Sequence, residues 1–267
     1  MARMVVLHHF AYGWFNPVMA YLIAFLGALL GLFCTARARN AGAPGRKGRW
    51  LALAAICIGG IAIWLMHFMA MLGFDVPASQ VRYDPLLTAA SLAAGVVVVG
   101  AGLVIVGFGG RRPYRVLLGG MLTGYGAAAM HYTGMTAVRV GGEFSFDRRL
   151  VGASIAVAVF GCSAALWLAV GRRGWAPAAG GAAVLAGAVV GMHYTGMYAL
   201  RVRLDPVTAQ VDGLSPLVLV VPITVVTAAA LIAMAFSALQ AMTEEEFDAA
   251  LSHKLPAVSG LGGAGNH

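Results

Sequence analysis

Three histidines recur at nearly equal intervals of 64 and 62 residues. Each has a methionine before it and another four residues after it: Met66, His67 and Met71; Met130, His131 and Met135; Met192, His193 and Met197. Imidazole suits Zn, Cu, Fe and Ni, and thioether favours Cu(I), whereas Mg and Ca call for oxygen. No carboxylate lies in the three segments. The set therefore predicts a metal centre, with a copper ion as the best single match and a coordination position left for a small exogenous ligand. On a helix, positions i and i+4 share a face, so each His–Met pair points at one place, and the preceding Met is turned about 100° away. Tyr132 and Tyr194 are placed to donate hydrogen bonds around such ligands, with Phe68 at the matching position of the first segment. One Met–aromatic stripe on a membrane helix would be read as packing. Packing alone does not require His and Met at the same offset three times.

The elements that must position these residues are apolar runs. Hydrophobic residues make up 60% of the 267 and charged residues only 10%, with a mean hydropathy of +0.83. A soluble domain carries about a quarter charged residues, so lipid is the expected solvent. Seven runs are long enough for the roughly 20 residues a crossing helix needs, at about 15–36, 50–72, 86–108, 116–138, 151–170, 177–199 and 215–238. The fold class expected is all-α, a polytopic membrane protein with seven transmembrane helices, arranged as three parallel two-helix repeats plus a seventh helix. The repeat period is one helix pair, which returns the chain to the side it left, so all three motifs lie at one face and can converge around an axis along the membrane normal. The expected organisation is an extracytoplasmic segment 1–14, a six-helix domain 15–204, the seventh helix 215–238 and a cytoplasmic tail 239–267.

Helix starts carry their usual punctuation at Asp84-Pro85, Ala176-Pro177 and Ser215-Pro216, and Pro222 is expected to kink the last run. Thr243 with Glu246 reads as a capping box opening a short tail helix. Gly27-x-x-x-Gly31, Gly120-x-x-x-Gly124 and Gly187-x-x-x-Gly191 read as close helix contacts. Cys34, Cys57 and Cys162 lie far apart within apolar runs and read as small core residues without disulfides. Of the basic residues, eleven fall on one side and seven on the other, where six acidic residues nearly neutralise them. The positive-inside rule then places the N-terminus outside and the C-terminus in the cytoplasm. With its basic residues dispersed over short loops, the net charge of +8 does not mark a nucleic-acid surface. Arg139 and Arg201, four residues after the second Met of their motifs, are expected at the headgroup boundary. His8 and His9 are weaker ligand candidates or solvated interfacial residues.

M-H-Y-T-G-M at 130–135 and 192–197, with W-L-M-H-F-M-A-M at 64–71, resembles the MHYT-domain family of bacterial integral membrane sensors, over about 16–203. The resemblance implies a copper-binding module in the bacterial inner membrane that responds to oxygen, carbon monoxide or nitric oxide, with the nine Met and His residues as ligands. The first repeat departs from the pattern, with Phe68-Met69-Ala70 in place of Tyr-Thr-Gly, so Met69 offers an extra thioether. Family members often carry a nucleotide-signalling or kinase domain after the membrane part, and none is expected in the 29 residues of 239–267. The expected function is thus a stand-alone sensor, not an enzyme, whose partners are the bilayer, a diatomic gas and a separate cytoplasmic signalling protein. Three other readings remain open: copper transport or delivery, a copper or haem oxidoreductase, and a helix bundle without metal.

Overall fold

Asp84 and Asp147 set where two of the helices begin. The Asp84 carboxylate accepts the Leu87 amide at 3.0 Å, and Asp147 accepts the Arg149 and Leu150 amides at 2.9 and 3.4 Å. These are side-chain caps for amides that have no partner inside the helix. The computed structural model of the chain describes residues 3, 4, 11–77, 79–108, 112–171, 175–204, 211–218, 221, 222, 224–226, 228, 229, 232, 233 and 236.

Six long helices form: α1 Phe15–Asn40, α2 Pro44–Met71, α3 Pro85–Phe108, α4 Pro113–Thr136, α5 Arg148–Gly171 and α6 Trp175–Tyr198. They fall on the first six apolar runs, and all but α4 are long and apolar enough to cross a membrane. The chain is therefore a multi-pass membrane protein. α4 matches the others in length but lowers its mean hydropathy with Thr123, Tyr125, His131, Tyr132 and Thr133. The chain divides into two units, 1–227 and 228–267. In the expected seventh helix, the described residues 216–218, 221, 222 and 224–226 of the first unit and 228, 229, 232, 233 and 236 of the second are helical. The expected tail, with Thr243 and Glu246, lies outside the described residues, as do His8 and His9.

Successive helices pack as neighbours, and α1 also packs against α6, so the six close into a ring. Near the motif ends, α2, α4 and α6 also meet one another across its middle. Glycines permit the closest approaches. A Cβ on Gly27 would lie 2.5 Å from the Ala62 nitrogen of α2, and one on Gly124 would lie 2.5 Å from the Val159 Cα of α5. The third expected glycine pair behaves differently. Gly187 has open space beside it and Gly191 meets Val157 only at ordinary distance, while α5 and α6 approach through Gly161 and Gly181 instead. The spacing small-xxx-small marks a face that can be approached, and neighbouring bulk decides whether it is. Within α2, residues Ile56–Leu65 form a π-helix running straight into Met66 and His67. Such widened turns are rare and recur near functional sites.

An all-α description omits five short strands, one before the first helix and four in the loops that follow the motifs. β2 (Arg82–Tyr83) pairs antiparallel with β3 (Val138–Arg139), and β5 (Leu200–Leu204) lies between β1 (Arg3–Met4) and β4 (Gly142–Phe146). Alternation such as Phe144-Ser145-Phe146 and Leu200-Arg201-Val202 gives these loops strand character. Arg139 and Arg201, expected as boundary markers, form ion pairs with the capping carboxylates, Arg139 to Asp84 at 2.9 Å and Arg201 to Asp147 at 3.6 Å. Each pair ties the end of one motif helix to the start of the helix that follows the preceding motif.

Candidate metal centre

The ring delivers the three histidines to one point. Their Nδ1 atoms form a triangle with sides of 3.0 Å (His67–His193), 3.2 Å (His67–His131) and 3.3 Å (His131–His193). The ring planes stand at 78–90° to one another, like blades of a propeller. All three side chains are buried to within 1%. This is a group able to hold a metal ion.

The triangle is unsatisfied without a cation. A neutral imidazole offers at Nδ1 either one proton or one lone pair. Among three mutually touching Nδ1 atoms, only one donor–acceptor pair can form, and at least one nitrogen is left facing its neighbours unpaired. A buried polar group in that position is costly. A cation at the centre accepts all three lone pairs together. The centre of a triangle lies at its side divided by √3, here about 1.8 Å from each nitrogen, so the three Nδ1 atoms would come within reach of the roughly 2.0–2.1 Å bonds that imidazole makes to a metal ion. The residues present fit a metal.

With Nδ1 as the ligand atom, the ring proton belongs on Nε2. The Nε2 atoms of His67 and His131 are buried, and neither has a hydrogen-bond partner among the described residues. Each lies instead against a motif glycine of the next repeat. A Cβ on Gly134 would stand 2.9 Å from His67 Nε2, and one on Gly196 would stand 2.5 Å from His131 Nε2. The glycine of M-H-Y-T-G-M is therefore the space that the preceding repeat's imidazole occupies. In the first repeat the same position is Ala70.

Met66, Met71, Met130, Met135, Met192 and Met197 are all buried. The stem of Met130 packs toward α3, with its Cγ 3.2 Å from where a Cβ on Gly95 would lie. One tyrosine departs from expectation: the Tyr132 hydroxyl pairs with Ser154 Oγ at 2.6 Å, on α5, rather than with a histidine. Tyr132 and Tyr194 set their rings edge-on to His131 and His193, as Phe68 does to His67. The shared feature at this position is thus an aromatic face against the imidazole. Sequence reasoning also missed Asn16, which is buried and donates from Nδ2 to the Met69 carbonyl at 3.1 Å. An amide followed by proline at the start of an apolar run was the available signal.

A membrane helix ring with one buried tri-histidine cluster defines a class, membrane-embedded modules built from repeats around a shared site. Residues 60–120, 124–182 and 187–249 match the family described as bacterial signalling protein N terminal repeat, MHYT, and the chain belongs to that family. It is 37% identical over 212 residues to the bifunctional diguanylate cyclase/cyclic di-GMP phosphodiesterase MucR of Pseudomonas aeruginosa, covering 74% of this chain and 31% of that protein. It is 33% identical over 191 residues to the cyclic di-GMP phosphodiesterase NbdA of the same organism, covering 68% and 24%. An uncharacterized signaling protein of Caulobacter vibrioides is 34% identical over 187 residues, covering 69% and 23%. The chain thus spans between a quarter and a third of these relatives, or slightly less. No solved structure matches it.

Proposed function

We propose that the protein is a sensory module of the bacterial inner membrane that binds copper at the histidine triangle and responds to a diatomic gas or to redox state. The observation that carries this reading is the convergence of three buried Nδ1 atoms, one from each repeat, within 3.3 Å. When bound, copper supplies a redox-active ion with a coordination position open to oxygen, carbon monoxide or nitric oxide. His67, His131 and His193 hold it through Nδ1. Met66, Met71, Met130, Met135, Met192 and Met197 surround them with soft sulfur and exclude water. The family and the relatives' names support a signalling role, and the ligand chemistry supports copper.

The proposal keeps seven membrane crossings, with 15–204 as the sensing domain and 215–238 as the seventh helix. It keeps the N-terminus outside and the segment from 239 onward in the cytoplasm. A change at the triangle shifts α2, α4 and α6 against each other, because each contributes one corner. The output is a cytoplasmic partner of the cyclic di-GMP class named in two relatives. A ligand moves such an equilibrium only by its different affinity for the two arrangements. A bis-histidine haem is disfavoured, since its axial imidazoles stand across an iron from one another, whereas these three converge at mutual distances of 3.0–3.3 Å.

Metal analysis of the detergent-purified chain tests this reading. After reconstitution with Cu(I) under reducing conditions, about one copper per chain is expected, and about none in the His67→Ala/His131→Ala/His193→Ala variant. Single His131→Gln, with circular dichroism confirming the helices, separates lost ligation from lost folding. A parent chain without stoichiometric copper would sink the copper reading.

A further inference from the structure

Two of the three cysteines, far apart in the sequence, meet across the seam between α1 and α2. Gly27, Gly31 and Cys34 fall on one face of α1, at successive offsets of four and three residues. Glycine on that face lets α2 come close. A Cβ on Gly27 would lie 2.9 Å from the Cys57 carbonyl oxygen, and one on Gly31 would lie 3.2 Å from the Ala54 carbonyl oxygen. Side chains as short as cysteine then reach across, and the Cys34 and Cys57 thiols hydrogen-bond to one another. No disulfide joins them. Cys162 lies on another helix, α5, and is fully buried.

The surroundings of the pair add what packing alone does not require. Arg37, one turn beyond Cys34, carries its guanidinium over the Trp50 ring of α2 at 5.3 Å, and its charge reaches Cys34. Trp50 stands two turns before Cys57, so Arg37 is held on the same seam. A cation beside a thiol favours the thiolate, the form in which cysteine is a nucleophile. Cys34 and Cys57 are each 7% exposed, shielded from bulky reagents and open at an edge to a molecule near the size of water. The pair lies toward the opposite end of the ring from the histidines, since Asn16 at the start of α1 bonds the Met69 carbonyl near His67, and Cys34 lies near the other end of that helix. Cys57 is the second residue of the π-helix that runs up to Met66.

We propose that Cys34 and Cys57 are a redox pair that a peroxide oxidises to a disulfide, joining α1 to α2 at the foot of the π-helix. The Cys34 sulfur attacks one peroxide oxygen, the O–O bond breaks, and the leaving hydroxide takes the thiol proton as water. The Cys57 sulfur then attacks the sulfenic acid at Cys34. The S–S bond forms, the S–O bond breaks, and a second water leaves with the Cys57 proton. Two thiols give up two electrons, and one hydrogen peroxide becomes two waters. A thiol reductant reverses the reaction by exchange. The pair needs no metal and stands apart from the metal reading above.

Counting thiols in the full chain tests this. The detergent-purified protein, with a chelator present to withhold metals, is treated with hydrogen peroxide, unfolded in dodecyl sulfate and labelled with a polyethylene-glycol maleimide. All three cysteines should label before peroxide, Cys162 alone afterwards, and all three again after dithiothreitol, always at the monomer mass. Cys162→Ala should lose every label on oxidation. Cys57→Ser leaves Cys34 without its partner, so oxidation should stop at a sulfenic acid that dimedone traps. Arg37→Gln, with an unchanged circular dichroism spectrum, should slow disulfide formation roughly tenfold. Full labelling after a peroxide dose that oxidises free glutathione completely would overturn the proposal. So would labels lost and not restored by dithiothreitol, or a disulfide that links two chains rather than two helices.

Discussion

The junction at the first motif and the junctions at the other two do the same mechanical job with different chemistry. The second and third motifs end in a strand pair, a capped helix start and an Arg–Asp clasp. The first ends beside a cavity lined by a carboxylate, a thioether and an amide oxygen without a partner among the described residues. The difference teaches that near-threefold repetition fixes the histidine triangle, while the loops outside it are free to diverge in chemistry from one repeat to the next. The same asymmetry runs inward, where Gly134 and Gly196 make room for an imidazole and Ala70 replaces glycine in the first repeat.

The largest expected effect breaks the part that the repeats share. Gly196→Ala brings a methyl to 2.5 Å from His131 Nε2, and Gly134→Ala to 2.9 Å from His67 Nε2. Each ring must move, and overpacking of this kind costs about 1–3 kcal/mol. Thermal melts in detergent should fall in the order Gly196→Ala below Gly134→Ala below parent, and copper retention should fall in the same order. Ala70→Gly opens space instead and should cost only about 1 kcal/mol through helix propensity, with copper retained. Equal loss of copper in all three would mean that the glycines serve the helices and not the imidazoles.

A smaller effect sharpens the contrast between the closures. Asp147→Ala removes the cap on the Arg149 and Leu150 amides along with the clasp to Arg201. Loss of such a cap costs about 1 kcal/mol, read as a lower midpoint in a denaturant or thermal titration. Ser215→Ala, at the junction without a clasp, should leave the midpoint nearly unmoved. If Ser215→Ala costs as much as Asp147→Ala, the first junction is closed by other means.

Much of this was legible in the sequence because periodicity and repetition report burial. Six apolar runs became helices within a few residues of expectation, and the three histidines did converge. What stayed hidden depended on partners distant in the chain. Nothing local in Arg139 and Arg201 names Asp84 and Asp147 as their mates; the clue was their common offset from the second Met of each motif, matched by an Asp before the next helix. The tyrosines were assigned to the histidines by adjacency, but an edge-on ring beside His131 leaves the Tyr132 hydroxyl pointing outward to Ser154. Gly187-x-x-x-Gly191 had the right spacing for a close contact and lacked a neighbour pressed against it. The cavity left its trace as the places where the first repeat fails to match the others, Met69 and Asp75 above all.

The smallest effect concerns acid, and it separates the junctions by sign alone. The Leu87 amide first, and then the Arg139 guanidinium, hold the Asp84 carboxyl below the ordinary aspartate range. A carboxyl whose folded value is depressed contributes stability that is fully present above its unfolded value, near 3.9, and is lost as pH falls through the folded value. The second junction should therefore hold through mild acidity and loosen only below about pH 4. In Arg139→Ala the cap to Leu87 remains, so the carboxyl stays depressed by less and the loosening begins at higher pH. Hydrogen exchange of the Leu87 amide, bonded to the Asp84 carboxylate, and of the Asp84 amide, bonded to the Ala137 carbonyl, reads this locally against pH. Both should open together on acidification, and earlier in Arg139→Ala. The Ala11 amide, bonded to the Gly73 carbonyl rather than to a carboxylate, should show no such step. A step of equal size at Ala11 would mean that the first junction shares the acid response of the clasped ones, and that its difference from them is one of shape alone.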